Sequence, residues 1–102
     1  MNNLKKSKII SFKKKEIHEI MELYSKKIST GEWKDYSIFF SKNCAIFNIH
    51  KSFSRSPEFK ILKYYQKTEK YTLSNKNQIL AKSTSLNKLL KLLKKPNLRL
   101  IK

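Results

Sequence analysis

A chain of 102 residues with 24 Lys and Arg against 7 Asp and Glu carries a formal charge of +17, far from the balance of an ordinary neutral enzyme domain. Its length allows one domain, and 39% hydrophobic with 12% aromatic residues is enough for a modest core, so the charge decorates a fold. One Gly and one Cys exclude phosphate-cradling glycine loops, disulfide frameworks and cysteine-rich zinc sites together.

The cations are 22 Lys and 2 Arg, the bias of an AT-rich coding sequence, and that bias explains Lys in place of Arg without explaining the excess over acids. The excess favours polyanions, whether RNA, DNA or an anionic membrane, in a salt-dependent way. A solvated cationic coat that keeps a small protein soluble is the competing explanation. Lysines at 5, 6 and 8 make residues 1–8 a segment expected to stay outside the fold. The apolar run Ile9-Ile10-Ser11-Phe12 is too short for a secretory core and nothing approaches a membrane span, which points to the cytoplasm.

Ile17, Ile20, Met21, Tyr24 and Ile28 recur at the spacing of one helical face, predicting a helix over 14–30 with Lys15, Glu19, Glu22 and Lys26 opposite. Gly31, the only glycine, stops it. The period then becomes two. Tyr36, Ile38 and Phe40 alternate with Ser37, Phe39 and Ser41, Lys42-Asn43 turns, and a second strand runs from Cys44 to about Lys51. After the polar loop 52–57, residues 58–65 form a strand with Phe59, Ile61 and Tyr65 inward. Shorter strands follow at Tyr71–Ser74 and Gln78–Lys82 around a turn at Asn75-Lys76-Asn77.

Leu86, Leu89, Leu90 and Leu93 predict a second helix over 85–95, capped by Ser83, Thr84 or Ser85 and ended by Pro96. Leu98 and Leu100 suggest a short last strand. The order β-α-β-β-β-β-β-α-β implies an α+β domain: an antiparallel meander with both helices packed on one face.

The segment Gly31-Glu32-Trp33-Lys34-Asp35-Tyr36-Ser37-Ile38 resembles a small alphaproteobacterial family, domain of unknown function twenty-seven ninety-four, in which a helix ends in Gly-Glu-Trp-Arg-Asp-Tyr-Ala. Ala45 to Ile49 and Pro57 with Phe59-Lys60-Ile61 resemble its next strands, so the likeness spans about residues 9–73. Lys34 stands where the family has Arg, and the segment from Gln66 to Lys70 is shorter and lacks an expected glycine. The resemblance implies a single domain and brings no activity.

Two readings compete at Gly31 to Tyr36. Glu32 and Asp35 could form an acid/base pair. Alternatively Gly31 stops the helix, Trp33 lids the core, Asp35 bonds loop backbone and Tyr36 opens the strand, and this structural reading explains each residue without a ligand. Cys44 and His50 on one strand would sit about 20 Å apart, too far for a nucleophile pair. His18 has no partner at the spacing of a metal site. No catalytic, metal or cofactor residue is expected, and the chain reads as a non-enzymatic binding protein.

The cations are polarised along the chain. Residues 1–15 hold six lysines and no acid, residues 16–41 three lysines against five acids, and residues 42–102 fifteen cations against two acids. Lys88, Lys91 and Lys95 form a ridge on the leucine helix, while Lys60, Lys63 and Lys67 interleave with Tyr64, a pattern that can hold phosphates while bases stack on the ring. These seven residues are the candidate nucleic-acid contacts, for RNA or a ribonucleoprotein more than a DNA sequence, since guanine readout prefers arginine and only Arg55 and Arg99 are present. The alternative is a protein-interaction or regulatory domain using the Gly31 to Tyr36 corner with the acidic face Glu16, Glu19 and Glu22. Adhesion of the leucine helix to lipid is a third possibility that competes with the core for the same face.

Overall fold

The computed structural model describes residues 9–52, 56–76 and 78–94. Its elements are α1 (Lys14–Ser29), β1 (Asp35–Phe40), β2 (Cys44–His50), β3 (Phe59–Gln66), β4 (Thr68–Asn75), β5 (Ile79–Ser83) and α2 (Leu86–Lys94). The five strands form one antiparallel sheet in sequence order, the α+β meander that the period-two pattern predicts. Residues 1–8, Lys95 and the expected last strand at Leu98 to Leu100 lie outside the described residues.

Register sorts the side chains into two faces. Ile49 pairs with Phe59, Phe47 with Ile61, and Ile61 with Leu73, all of them buried on the inner face. Ser37 pairs with Asn48, Asn48 with Lys60, and Lys60 with Ser74 on the outer face. The leucine stripe of α2, with Leu86, Leu89, Leu90 and Leu93 buried, lies over β4 and β5 and beside α1. Each of those leucines contributes roughly 1.5–3 kcal/mol by leaving water, which holds α2 to the sheet.

The apolar face of α1 is rotated from its expected position. The buried stripe is Glu16, Ile20, Leu23 and Lys27, while Ile28 is 37% exposed. Charge-charge contacts override hydropathy at both ends of the helix: Lys63 meets Glu16, and Lys27 Nζ lies 2.9 Å from Glu32 Oε1. The helix entrance also differs from the strand expected ahead of α1, since among the described residues Ile10 makes a single bridge, to Ser41. Phe12 turns into the core against Phe47, and the Lys13 N–H donates to Glu16 Oε1 at 2.7 Å, beginning the helix instead.

Tyr65 shares the inner face with Phe59 and Ile61 but is exposed at the end of β3. Its hydroxyl donates to Glu69 at 2.7 Å. Lys67 sits at φ +74 in the β3–β4 turn, a left-handed position where a glycine is expected.

Candidate nucleic-acid interface

Both helices cover the inner face, which leaves the outer face of β3, β4 and β5 as a platform among the described residues. Tyr64 stands directly opposite Lys70, and Thr72 opposite Lys82, so Lys70 and Lys82 are diagonal neighbours on adjacent strands. Such diagonals lie about 7–8 Å apart at the backbone, within reach of one another for long side chains. Tyr64, Gln66, Lys70, Lys82, Ser83 and Thr84 line an open depression of about 320 Å³. Lys60 is exposed on the same face. None of the chain's seven acids occupies an outward position of these three strands, because Glu69 turns inward and Glu58 precedes β3.

Lys63 is a correction to the expected contacts. It is 1% exposed, and its ammonium donates to Glu16 Oε1 at 2.8 Å and to Ser11 O at 2.9 Å. Glu69 Oε2 lies 3.7 Å away. An ammonium engaged by two carboxylates and a carbonyl has no donor left for phosphate. Glu16 in turn leaves the acidic face, so only Glu19 and Glu22 of that trio line the groove between the helices, with Lys26, Asn87 and Lys94.

Tyr71 completes this buried cluster by donating its hydroxyl to Glu16 Oε2. Burial and the Glu16 hydrogen bond both push the Tyr71 phenol strongly up, so it stays neutral. Burial works against ionisation of Glu16, yet hydrogen bonds from Lys63 and Tyr71 outweigh it and hold the carboxyl below its ordinary 4.5. Tyr65, followed by Lys13 at 3.1 Å, likewise lowers Glu69. The groups satisfy one another, and the cluster is a polar keystone between α1 and the sheet.

The other candidate lysines fall in two places. Lys60 and Tyr64 lie on the outer face and Lys67 at the turn beside it, whereas Lys88 and Lys91 are exposed on α2, on the far side of the sheet. Lys95 is outside the described residues. One flat ligand therefore cannot meet both sets. Lys70 and Lys82, by contrast, join Tyr64 through strand pairing, a proximity that only the β3–β4–β5 register reveals.

The corner from Gly31 to Tyr36 is occupied by its own fold. Gly31 has φ +81, and the N–H groups of Glu32 and Trp33 return to Lys27 O. Trp33 is 3% exposed and lies 6.0 Å from the Tyr24 ring. Tyr36 packs edge-on to Tyr24 at 4.9 Å and stacks on Phe47 at 5.2 Å, while Asp35 Oδ1 accepts the Tyr36 N–H. A family model, Protein of unknown function (DUF2794), matches residues 10–90. The chain belongs to this family. The match takes in α1, the corner, the whole sheet and the first half of α2. Comparison with curated proteins and with solved structures gives no match.

Cys44 and His50 occupy opposite ends of β2, and Cys44 Sγ lies 3.8 Å from Ser41 Oγ. Asn48, 8% exposed on the outer face, donates from Nδ2 to Ser37 Oγ at 3.3 Å. Its Oδ1 has no partner among the described residues. No helix among them is long and apolar enough to cross a membrane.

Proposed function

We propose that the protein is a non-enzymatic RNA-binding module of the cytoplasm, where its free thiol stays reduced, and that the outer face of β3–β5 is its contact surface. The observation that carries this reading is Tyr64 set against Lys70 with Lys82 on the diagonal, on a face whose outward positions hold no carboxylate. A phenol ring offers a base a stacking surface, and the ammonium groups of Lys70, one strand away, and Lys82, two strands away, meet the neighbouring phosphates. The ligand is RNA, free or in a ribonucleoprotein, with unpaired bases where it meets Tyr64.

A non-enzymatic role is supported by where the titratable groups are engaged. Glu16, Lys63 and Tyr71 bind one another beneath α1, away from the open face. The corner offered for a protein partner uses its rings and carboxylates internally, so RNA is the better-supported ligand.

Fluorescence polarisation of the full chain with a labelled single-stranded RNA tests the reading. Binding should weaken steeply from about 50 to 200 mM salt. Lys70→Gln/Lys82→Gln should weaken it further, and Lys88→Gln/Lys91→Gln should not. Absence of salt-sensitive binding would sink the reading, and loss confined to the α2 variant would move the site to the helix side.

A further inference from the structure

Seven large apolar side chains are exposed among the described residues, and four of them, Ile9, Tyr36, Phe39 and Phe40, sit on or beside β1. Among the described residues β1 is an edge of the sheet, paired with β2 alone apart from the bridge of Ile10 to Ser41 beyond its end. Phe39 at 58% and Phe40 at 51% exposure point to opposite faces of this edge. Edge strands are commonly guarded by Lys, Pro or a bulge, and Asp-Tyr-Ser-Ile-Phe-Phe contains neither residue.

The direction of the unpaired backbone groups follows from the hairpin. Ser41 N–H donates to Cys44 O at 2.9 Å, so alternation turns residues 35, 37 and 39 toward β2 and leaves Tyr36, Ile38 and Phe40 facing the edge. The Tyr36 N–H agrees, since it donates to Asp35 Oδ1 at 2.8 Å. Charge selects the same edge. Copies of a +17 chain repel one another, but residues 32–41 hold two acids and one lysine, so approach along β1 meets little of that repulsion.

We propose that two copies of this chain associate through β1, antiparallel, about a two-fold axis perpendicular to the sheet at Ile38. Such an axis sets Ile38 opposite its own copy, Tyr36 opposite Phe40 and Ser37 opposite Phe39. Every residue then meets one on the same face, and the bonded pairs are those whose backbone groups face the edge. The result is one continuous sheet with both outer faces on the same side. This inference is independent of RNA binding.

Sedimentation equilibrium of the full chain in about 0.15 M salt should give twice the 12.2 kDa chain mass. Phe39→Lys/Phe40→Lys places four cations at the junction and should raise the dimer dissociation constant at least about tenfold, whereas Ile79→Lys on the opposite edge should leave it unchanged. Amide exchange gives a second readout that needs no variant: Ile38 and Phe40 should exchange more slowly as protein concentration rises. A chain that stays monomeric up to about 1 mM overturns the proposal, as it would if residues 1–8 of the same chain covered β1. So does a dimer in which those amides exchange at one rate at every concentration, because it forms through another surface.

Discussion

Lys63 Nζ lies 2.8 Å from Glu16 Oε1 across 47 positions of sequence, and this pair ties the first turn of α1 to the centre of β3. Its two side chains are 2% and 10% exposed, so neither charge has water to fall back on. Lys63→Met takes the ammonium away from Glu16, which keeps the Tyr71 hydroxyl and the Lys13 N–H, and Glu16→Gln leaves the ammonium with Ser11 O and the more distant Glu69. Each single change should cost about 3–5 kcal/mol in urea unfolding. The double variant Lys63→Met/Glu16→Leu should recover part of that loss, short of the whole, because the Tyr71 hydroxyl then loses its Glu16 acceptor and is left with Glu69 Oε1 at 3.4 Å.

Acid should dissolve the same cluster. Glu16 and Glu69 are held below the ordinary carboxylate value of 4.5, so their stabilisation is complete above that value and is lost as pH falls through the lowered folded values. Protonation also adds to a charge already at +17. The melting temperature should therefore drop below about pH 4.5, and the drop should be shallower in Glu16→Gln, which starts lower at neutral pH. At the alkaline end Tyr71 should be missing from a spectrophotometric titration until the protein unfolds, because its raised folded value favours the neutral phenol from pH 10 upward.

Two turn positions give opposite signs for related substitutions. At Gly31, φ +81, an added Cβ meets nothing within 4 Å, so Gly31→Ala carries backbone strain without a clash. A loss of about 1–2 kcal/mol is expected, with Gly31→Asn milder. At Lys67, φ +74, the strain is already present, and Lys67→Gly should stabilise the chain by up to about 1 kcal/mol. Thermal melts of the three variants check both signs.

Trp33 closes the corner at 3% exposure against Tyr24. Trp33→Ala should cost about 3–5 kcal/mol, and Trp33→Phe less, since it keeps a ring beside Tyr24. A melting temperature unmoved by Trp33→Ala would place the indole in solvent.

Local patterning carried the elements. The helix over 14–30, the turn at Lys42-Asn43 and the leucine stripe of α2 follow from period and turn chemistry within a dozen residues, and they match α1, the β1–β2 hairpin and α2. Parity with Phe59 and Ile61 puts Lys63 on the inner face, but a lysine in that series reads as solvent-facing unless its partner is known. That partner is Glu16, and hydropathy assigned it to the wet side of α1 for the same reason. The candidate site was legible in part. Tyr64 and Lys60 share a face by parity, whereas the approach of Lys70 and Lys82 to Tyr64 depends on two hairpin registers and on which strands are neighbours.

The lysines on the two sides of the sheet separate two explanations of RNA binding. If charge alone draws the polyanion, any exposed lysine counts alike; if the outer face of β3–β5 is the site, Lys70 and Lys82 matter and Lys88 and Lys91 do not. Removing one phosphate-neutralising lysine should reduce the slope of log affinity against log salt by about 0.7 for a single strand, so Lys70→Gln/Lys82→Gln should flatten it by roughly 1.4 while Lys88→Gln/Lys91→Gln leaves it in place. Tyr64→Ala should lower affinity by about 1–3 kcal/mol and keep the slope, because stacking releases no counterion. Equal flattening by both lysine pairs would mean that the charge acts diffusely and that no face of the sheet is the site.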